Sequence, residues 1–306
     1  MTDDTAARRT ADPILLTGAS GYVGGYLLAE LTRRGHALRI LARNPRPGTF
    51  GAGVDARTGD AVAGTGLTEA LEGCRTAYYL IHSMGRGSGP NDEFARRDRT
   101  AAHNFGAAAR EAGVTRLVYL GGLGPTGPGA SEHLRSRHEV AQILGGYVPE
   151  LVYVRAAMVI GAGSASYEMM SSLVKRLPVM IAPRWVDTKS QPVALEDVIR
   201  TLADVAVLPR APGEVQLGGR DVLTYRDMMV RFARMQGRTP RIVRVPVLTP
   251  TLSSYWVALV TPVELGLVKP LVDGLKSEMI VESPPPEGIN EAPMGFEDAV
   301  RAAGGV

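Results

Sequence analysis

The stretch Ile14-Leu15-Leu16-Thr17-Gly18-Ala19-Ser20-Gly21-Tyr22-Val23-Gly24 limits what this chain can fold into more than any other. A short apolar run enters a glycine turn and leaves it directly in a helical pattern, so a strand hands over to a helix with almost no loop between them. In that arrangement the first N–H groups of the helix are unpaired, and the helix dipole favours an anion such as a pyrophosphate in front of them. Each glycine has its own task. Gly18 turns the chain sharply off the strand, Gly21 lets backbone approach phosphate with no Cβ in the way, and Gly24 lets the helix pack closely on the sheet. Ser20, Tyr22 and Val23 share the turn and join the glycines as candidate nucleotide contacts.

The rest of the first half repeats the strand-to-helix rhythm. Val23, Leu27, Leu28 and Leu31 recur at helical spacing up to Arg34, and Gly35 stops the helix. Strands are expected at residues 37–42, 53–59, 76–82, 114–120 and 151–154, with helices at 67–71, 92–112 and 131–145, the last capped by Ser131. The charges at Asp92, Glu93, Arg96, Arg97, Asp98 and Arg99 read as a solvated helix face. Residues 13–160 therefore form a doubly wound α/β domain of the Rossmann type around a parallel sheet, after a loose tail over 1–12. Beyond residue 160 the rhythm breaks. Helices at 167–175, 195–207 and 225–235 and strands at 215–217 and 242–245 make residues 161–306 a smaller α+β part, interleaved with the core and suited to form a substrate pocket.

Ligands of open parallel sheets bind beyond the carboxyl ends of the strands, which places Arg43, Ile81, His82, Ser83, Gly121 and Gly122 around the nucleotide. Arg43 stands where a site for NAD places an acid to hold the adenosine ribose. A guanidinium there binds a 2′-phosphate that an acid repels, so the expected cofactor is NADP(H). The glycine-rich loop 86–91 reads as a lid.

Composition narrows the remaining classes. The formal charge is +3 at a pI near 9.1, with four lysines among the 34 basic residues, which describes an arginine preference rather than a nucleic-acid surface. Arginines 226, 231, 234, 238, 241 and 244 cross a helix, a turn and a strand and read as solvated. The one cysteine, Cys74, rules out an internal disulfide and reads as a small buried hydrophobe, which suits a reducing cytoplasm. Arg8-Arg9 precedes no cleavable leader, and the longest apolar run, 255–263, is too short to cross a membrane. His36, His82, His103, His133 and His138 lack metal-ligand spacing, so no metal is expected.

The chain resembles the atypical, extended-type short-chain dehydrogenase/reductases with a Gly-x-x-Gly-x-x-Gly turn, and within them the NmrA-like and YbjT-like proteins. The likeness rests on segments 17–24, 119–123, 134–140, 159–164, 191–194 and 254–257. It implies that Asp60, with Ala61 after it, sits beside the adenine. In ordinary members a Tyr-x-x-x-Lys pair and a serine move the proton, whereas none of the ten tyrosines here has a lysine four residues on. The matching helix positions hold His133 and Arg137, and the serine position falls on Gly121 or Gly122. Arg137 can still grip the nicotinamide ribose, His133 can in principle donate a proton, and Tyr167 is a replacement acid from the far side. The resemblance implies an NADP(H)-dependent oxidoreductase acting on a small, largely apolar carbonyl, imine or enone. The alternatives are a non-catalytic NADP(H)-binding regulator or assembly protein and a cofactor-assisted epimerase or isomerase. A homo-oligomer or protein partner is expected to dock around Trp256, if at all.

Overall fold

A computed structural model of the chain describes residues 12–46, 48–51, 54–82, 91–127, 129–177, 179–244 and 272–304. The expected strands appear as β1 (Ile14–Thr17), β2 (Leu38–Ala42), β3 (Asp55–Thr58), β4 (Thr76–Tyr79), β5 (Arg116–Gly122), β6 (Glu150–Ala156) and β7 (Glu214–Leu217). They form one parallel sheet in the order β7-β6-β5-β4-β1-β2-β3. The order reverses between β1 and β4, and such a reversal opens a crevice at the carboxyl ends of the strands.

Helices cover both faces because side chains alternate along each strand. Ile14, Leu16, Ile40, Val118, Val152 and Val154 face one way and are packed by α1 (Tyr22–Arg33) and α6 (Leu195–Val205). Leu15, Leu41, Leu117, Tyr119 and Tyr153 face the other way, under α2 (Leu67–Leu71), α3 (Asn91–Glu111) and α4 (Glu132–Gly145). Cys74 is buried in this second layer. Helix ends follow the sequence closely: Gly35 takes φ +78°, and the Ser131 hydroxyl accepts the Leu134 N–H at 3.3 Å.

One boundary differs. The apolar run to His82 predicts a longer fourth strand, yet β4 stops at Tyr79. Thr17, fully buried at the end of β1, explains the stop. Its hydroxyl donates to the Tyr78 carbonyl at 2.9 Å and accepts the Leu80 N–H at 2.9 Å. A side chain thus replaces the ladder where β1 and β4 part, and Ile81 and His82 turn into the crevice.

The third core lies in the C-terminal part, where α5 (Ala165–Arg176), α7 (Tyr225–Met235) and α8 (Phe296–Ala302) pack Tyr167, Met170, Met228, Phe232 and Phe296 together. Short ladders brace it, one joining Val179–Ala182 to Arg241–Arg244 and another Val159–Ile160 to Val193–Ala194. This part is threaded through the first, since α6 covers one face of the sheet and β7 extends its edge. Asp197, with no exposed surface, fixes the junction: its Oδ2 accepts the Met294 N–H at 2.8 Å and its Oδ1 pairs with Arg200. No helix among the described residues is long and apolar enough to cross a membrane.

Among the described residues, one of the closest backbone approaches is between α1 and the turn before it. A Cβ on Gly24 would lie 2.1 Å from the Gly18 carbonyl oxygen, whereas one on the exposed Gly25 would meet nothing closer than 3.7 Å. Gly24→Ala is expected to cost about 1–3 kcal/mol, while Gly25→Ala is expected to gain about 0.5–1 kcal/mol. Thermal unfolding of the two variants should therefore move in opposite directions; equal shifts would mean that the contact is not rigid.

Candidate functional site

The glycine turn sits at the middle of the crevice. Gly18 takes φ +69°, and a Cβ on it would lie 2.6 Å from the Leu80 carbonyl oxygen, so only glycine passes between β1 and β4. The Gly21 N–H closes the turn on the Gly18 carbonyl at 2.8 Å. Gly21 is also the N-cap of α1; it supplies no side-chain cap, and the first helical turn holds no acid. The helix therefore presents bare N–H donors with no carboxylate to compete for them. In front of them opens a cavity of about 550 Å³, lined by the whole turn from Gly18 to Gly24 and by residues on both sides of β1.

On the β2 and β3 side the lining includes Arg43, Asp60, Ala61 and Val62. Arg43 is exposed at the end of β2. The Asp60 Oδ1 accepts the N–H groups of Val62 at 2.7 Å and Ala63 at 3.1 Å, so the carboxylate shapes the turn that carries Ala61.

On the β4 and β5 side the lining includes Leu80, Ile81, His82, Leu120, Arg97 and Arg137. Here a group of ionisable side chains converges. His82 Nδ1 lies 3.6 Å from the Asp98 Oδ2, and the His82 and His133 rings are 5.5 Å apart. Arg137 donates to the Tyr119 hydroxyl at 3.4 Å, with its guanidinium 5.7 Å from the centre of that ring. Burial first, and the Arg137 charge second, lower His82 to about 4 and His133 to about 3. Neither ring nitrogen of His82 has a hydrogen-bond partner.

The structure separates the expected site residues into three groups. The glycine turn, Arg43, Asp60, Ala61, Ile81, His82 and Arg137 share the cavity wall. Gly121 and Gly122 do not line it. A Cβ on Gly121 would meet the Tyr153 ring at 2.6 Å, and one on Gly122 would meet Leu134 at 2.7 Å, so these glycines make room for neighbouring side chains. His133 does not line the cavity either, and its burial leaves it neutral rather than the charged proton donor that the sequence suggests. Tyr167 points into the C-terminal core, edge-on to Phe232 at 6.0 Å, and burial raises its pKa. Ser83, the loop 86–90 and Trp256 lie outside the described residues.

Two residues escaped the sequence reading. Arg97 lines the cavity, and Asp98 is buried although its neighbours Arg96, Arg97 and Thr100 are exposed. Helical spacing carries the signal for Asp98, which precedes the buried Ala101, Ala102 and Phe105 by three, four and seven residues. Among the described residues no group of three His, Cys, Asp or Glu side chains could hold a metal ion.

The lowered histidines fix a pH dependence. The unfolded chain takes up protons at both sites near pH 6.5, while the folded chain refuses them until about 4 at His82 and about 3 at His133. Their neutral form thus costs nothing above pH 6.5 and weakens the fold progressively below it. Urea unfolding from pH 7 to pH 4 should show a steeper loss of stability for the wild type than for a His82→Gln/His133→Gln variant. Parallel curves would show that the two rings are solvated.

Residues 18–157 match a family described as NAD(P)H-binding. A ceramide reductase of Caulobacter vibrioides is 28% identical over 268 residues, which is 84% of this chain and 82% of that protein. Among solved structures, an NADPH-dependent quinone oxidoreductase of Escherichia coli, complexed with NADPH, superposes with a TM-score of 0.73 at 20% identity, covering 94% of this chain and 98% of its own. A triphenylmethane reductase of Citrobacter sp., complexed with NADP(H), gives a TM-score of 0.73 at 17% identity over 95% of this chain and 99% of its own. These two likenesses show the fold. The glycine turn and the parallel sheet agree with the NAD(P)H-binding description of the family that residues 18–157 match.

Proposed function

We propose that the chain is an NADP(H)-dependent oxidoreductase that transfers hydride to or from a small, largely apolar carbonyl, imine or enone compound. The observation that carries this reading is the single cavity joining the bare N-terminus of α1 to Arg43 on one side and to His82 and Arg137 on the other. Its lining offers a separate set of groups for each part of a dinucleotide. The first turn of α1 would take the pyrophosphate, Arg43 the 2′-phosphate, and Ala61 and Val62, held by the Asp60 turn, the adenine. Arg137 would hold the nicotinamide ribose from the position that a lysine takes in ordinary relatives. The cofactor supplies the hydride chemistry; these residues bind it, orient it and set the charge around it. Relatives named as reductases of ceramide, a quinone and triphenylmethane dyes agree with a largely apolar acceptor.

A second reading, a non-catalytic NADP(H)-binding regulator, draws on a different observation. The usual acid and base positions are empty of working groups: glycines stand at the end of β5, His133 is held neutral, and Tyr167 is packed in a core. Steady oxidation of NADPH with any member of a quinone, enone and ketone panel separates the two readings.

Calorimetric titration tests the cofactor assignment directly. NADPH is expected to bind more tightly than NADH, and Arg43→Ala should weaken NADPH about 10–100-fold, leaving NADH little changed. Equal losses for both nucleotides would remove Arg43 from the 2′-phosphate, and no binding of either would overturn the reading.

A further inference from the structure

Tyr22, Arg137 and His82 all line the cavity and carry buried polar atoms without a hydrogen-bond partner, and of the three only His82 carries two. His82 lines the cavity with 22% of its side chain exposed, while both of its ring nitrogens are buried and have no partner within hydrogen-bond distance. Buried polar groups in native structures are nearly always paired, and an orphan beside a cavity calls for a ligand atom. One neighbour is already aimed at it. Asp98, on the buried face of α3, brings its Oδ2 to 3.6 Å from His82 Nδ1, a spacing that a bound ligand can close, since such contacts tighten in complexes.

We propose that His82, oriented by Asp98, is the residue that takes and returns the substrate proton in this site, in place of the missing tyrosine. This inference rests on the oxidoreductase reading. Asp98 accepts Nδ1–H and thereby leaves Nε2 as a lone-pair acceptor. With a nicotinamide cofactor bound to accept the hydride of the carbinol carbon, Nε2 would take the hydroxyl proton of an alcohol, so that a carbonyl would form and the oxidised cofactor would become the reduced one. The imidazolium, balanced by the Asp98 carboxylate, then loses its proton to water. Reduction runs the same transfers backwards. Asp98 touches neither substrate nor cofactor and is a positioning residue.

The charged and titratable groups around the ring set its working range. Asp98 comes from α3, and His133 and Arg137 come from α4; Arg97 shares the cavity. Burial and Arg137 lower His82 while Asp98 raises it, and the balance keeps the ring neutral at pH 7. The neutral imidazole has a free lone pair to accept a proton, the Asp98 carboxylate offsets part of the basicity that burial removes, and the reducing direction, which needs the imidazolium, gains as pH falls.

The full-length protein with 15N-labelled histidine tests this by two-bond 1H–15N correlation, with the His82 signals assigned from the His82→Gln variant. At pH 7 the wild type should show a neutral ring with its proton on Nδ1, and adding NADP+ should shift the Nε2 signal. Asp98→Asn, whose amide can donate to Nδ1, should move the proton to Nε2. Asp98→Glu, which keeps the carboxylate, should leave it on Nδ1 and serves as well if the asparagine variant does not fold. An imidazolium at pH 7, a proton on Nε2 in the wild type, or NADP+ that binds by calorimetry without moving the His82 signals overturns the proposal. If NADP+ produces no binding heat, the cofactor reading falls instead, and the tautomer with its response to Asp98 substitution still decides whether the dyad exists.

Discussion

Everything in this molecule depends on how closely a helix can be laid against the strand that precedes it. The backbone of α1 passes over the Gly18 carbonyl at a separation that admits no Cβ on Gly24, and Gly18 itself passes the Leu80 carbonyl with no room for a side chain. Steric absence, not attraction, sets this geometry. Once it is set, the helix N-terminus has a fixed position relative to the ends of β2 and β4, and every candidate ligand contact follows from that position. The apolar layers on the two faces, built from alternating residues of the same strands, hold the sheet to it.

Thr17 performs the complementary task. At the point where the sheet reverses, two strands must separate without leaving buried backbone groups unpaired. A hydroxyl both donates and accepts, so a single threonine satisfies the Tyr78 carbonyl and the Leu80 N–H together. The crevice is thereby opened at no cost in lost hydrogen bonds, and the residues that follow Leu80 are free to turn towards the cavity.

The features legible in the sequence were those governed by local rules. Glycine spacing marked the turn, period-two and helical patterns marked the layers, and strand ends marked Arg43 and His82. What stayed hidden depends on packing between distant segments. Asp98 stands in a run of charges, and its burial is visible only when Ala101, Ala102 and Phe105 are recognised as the inner face of the same helix. Tyr167 follows a glycine-rich loop that promises a site, yet its ring is claimed by Phe232 sixty-five residues away. Gly121 and Gly122 stand at a strand end where the nucleotide and the missing serine are expected, and only the side chains of Tyr153 and Leu134 reveal why they are small. The strand β4 was read too long because a side-chain bond from Thr17 cannot be seen in an apolar pattern.

The interleaving of the two halves shapes how the chain comes into being. The sheet is parallel throughout, and its last member, β7, arrives some sixty residues after the β6 strand it pairs with. Until then β6 presents an open edge, and the α6 helix that shields α1 arrives only shortly before β7. Parallel pairings across long stretches of chain form slowly, because loop-closure entropy must be overcome before the contacts repay it. During synthesis the nucleotide-side layers therefore remain unfinished after all of their first six strands have left the ribosome. Asp197 extends the wait, since the Oδ2 of its buried carboxylate finds its partner only when Met294 arrives. The sheet is thus closed on the β6 side by chain that is synthesised well after the glycine turn it helps to support.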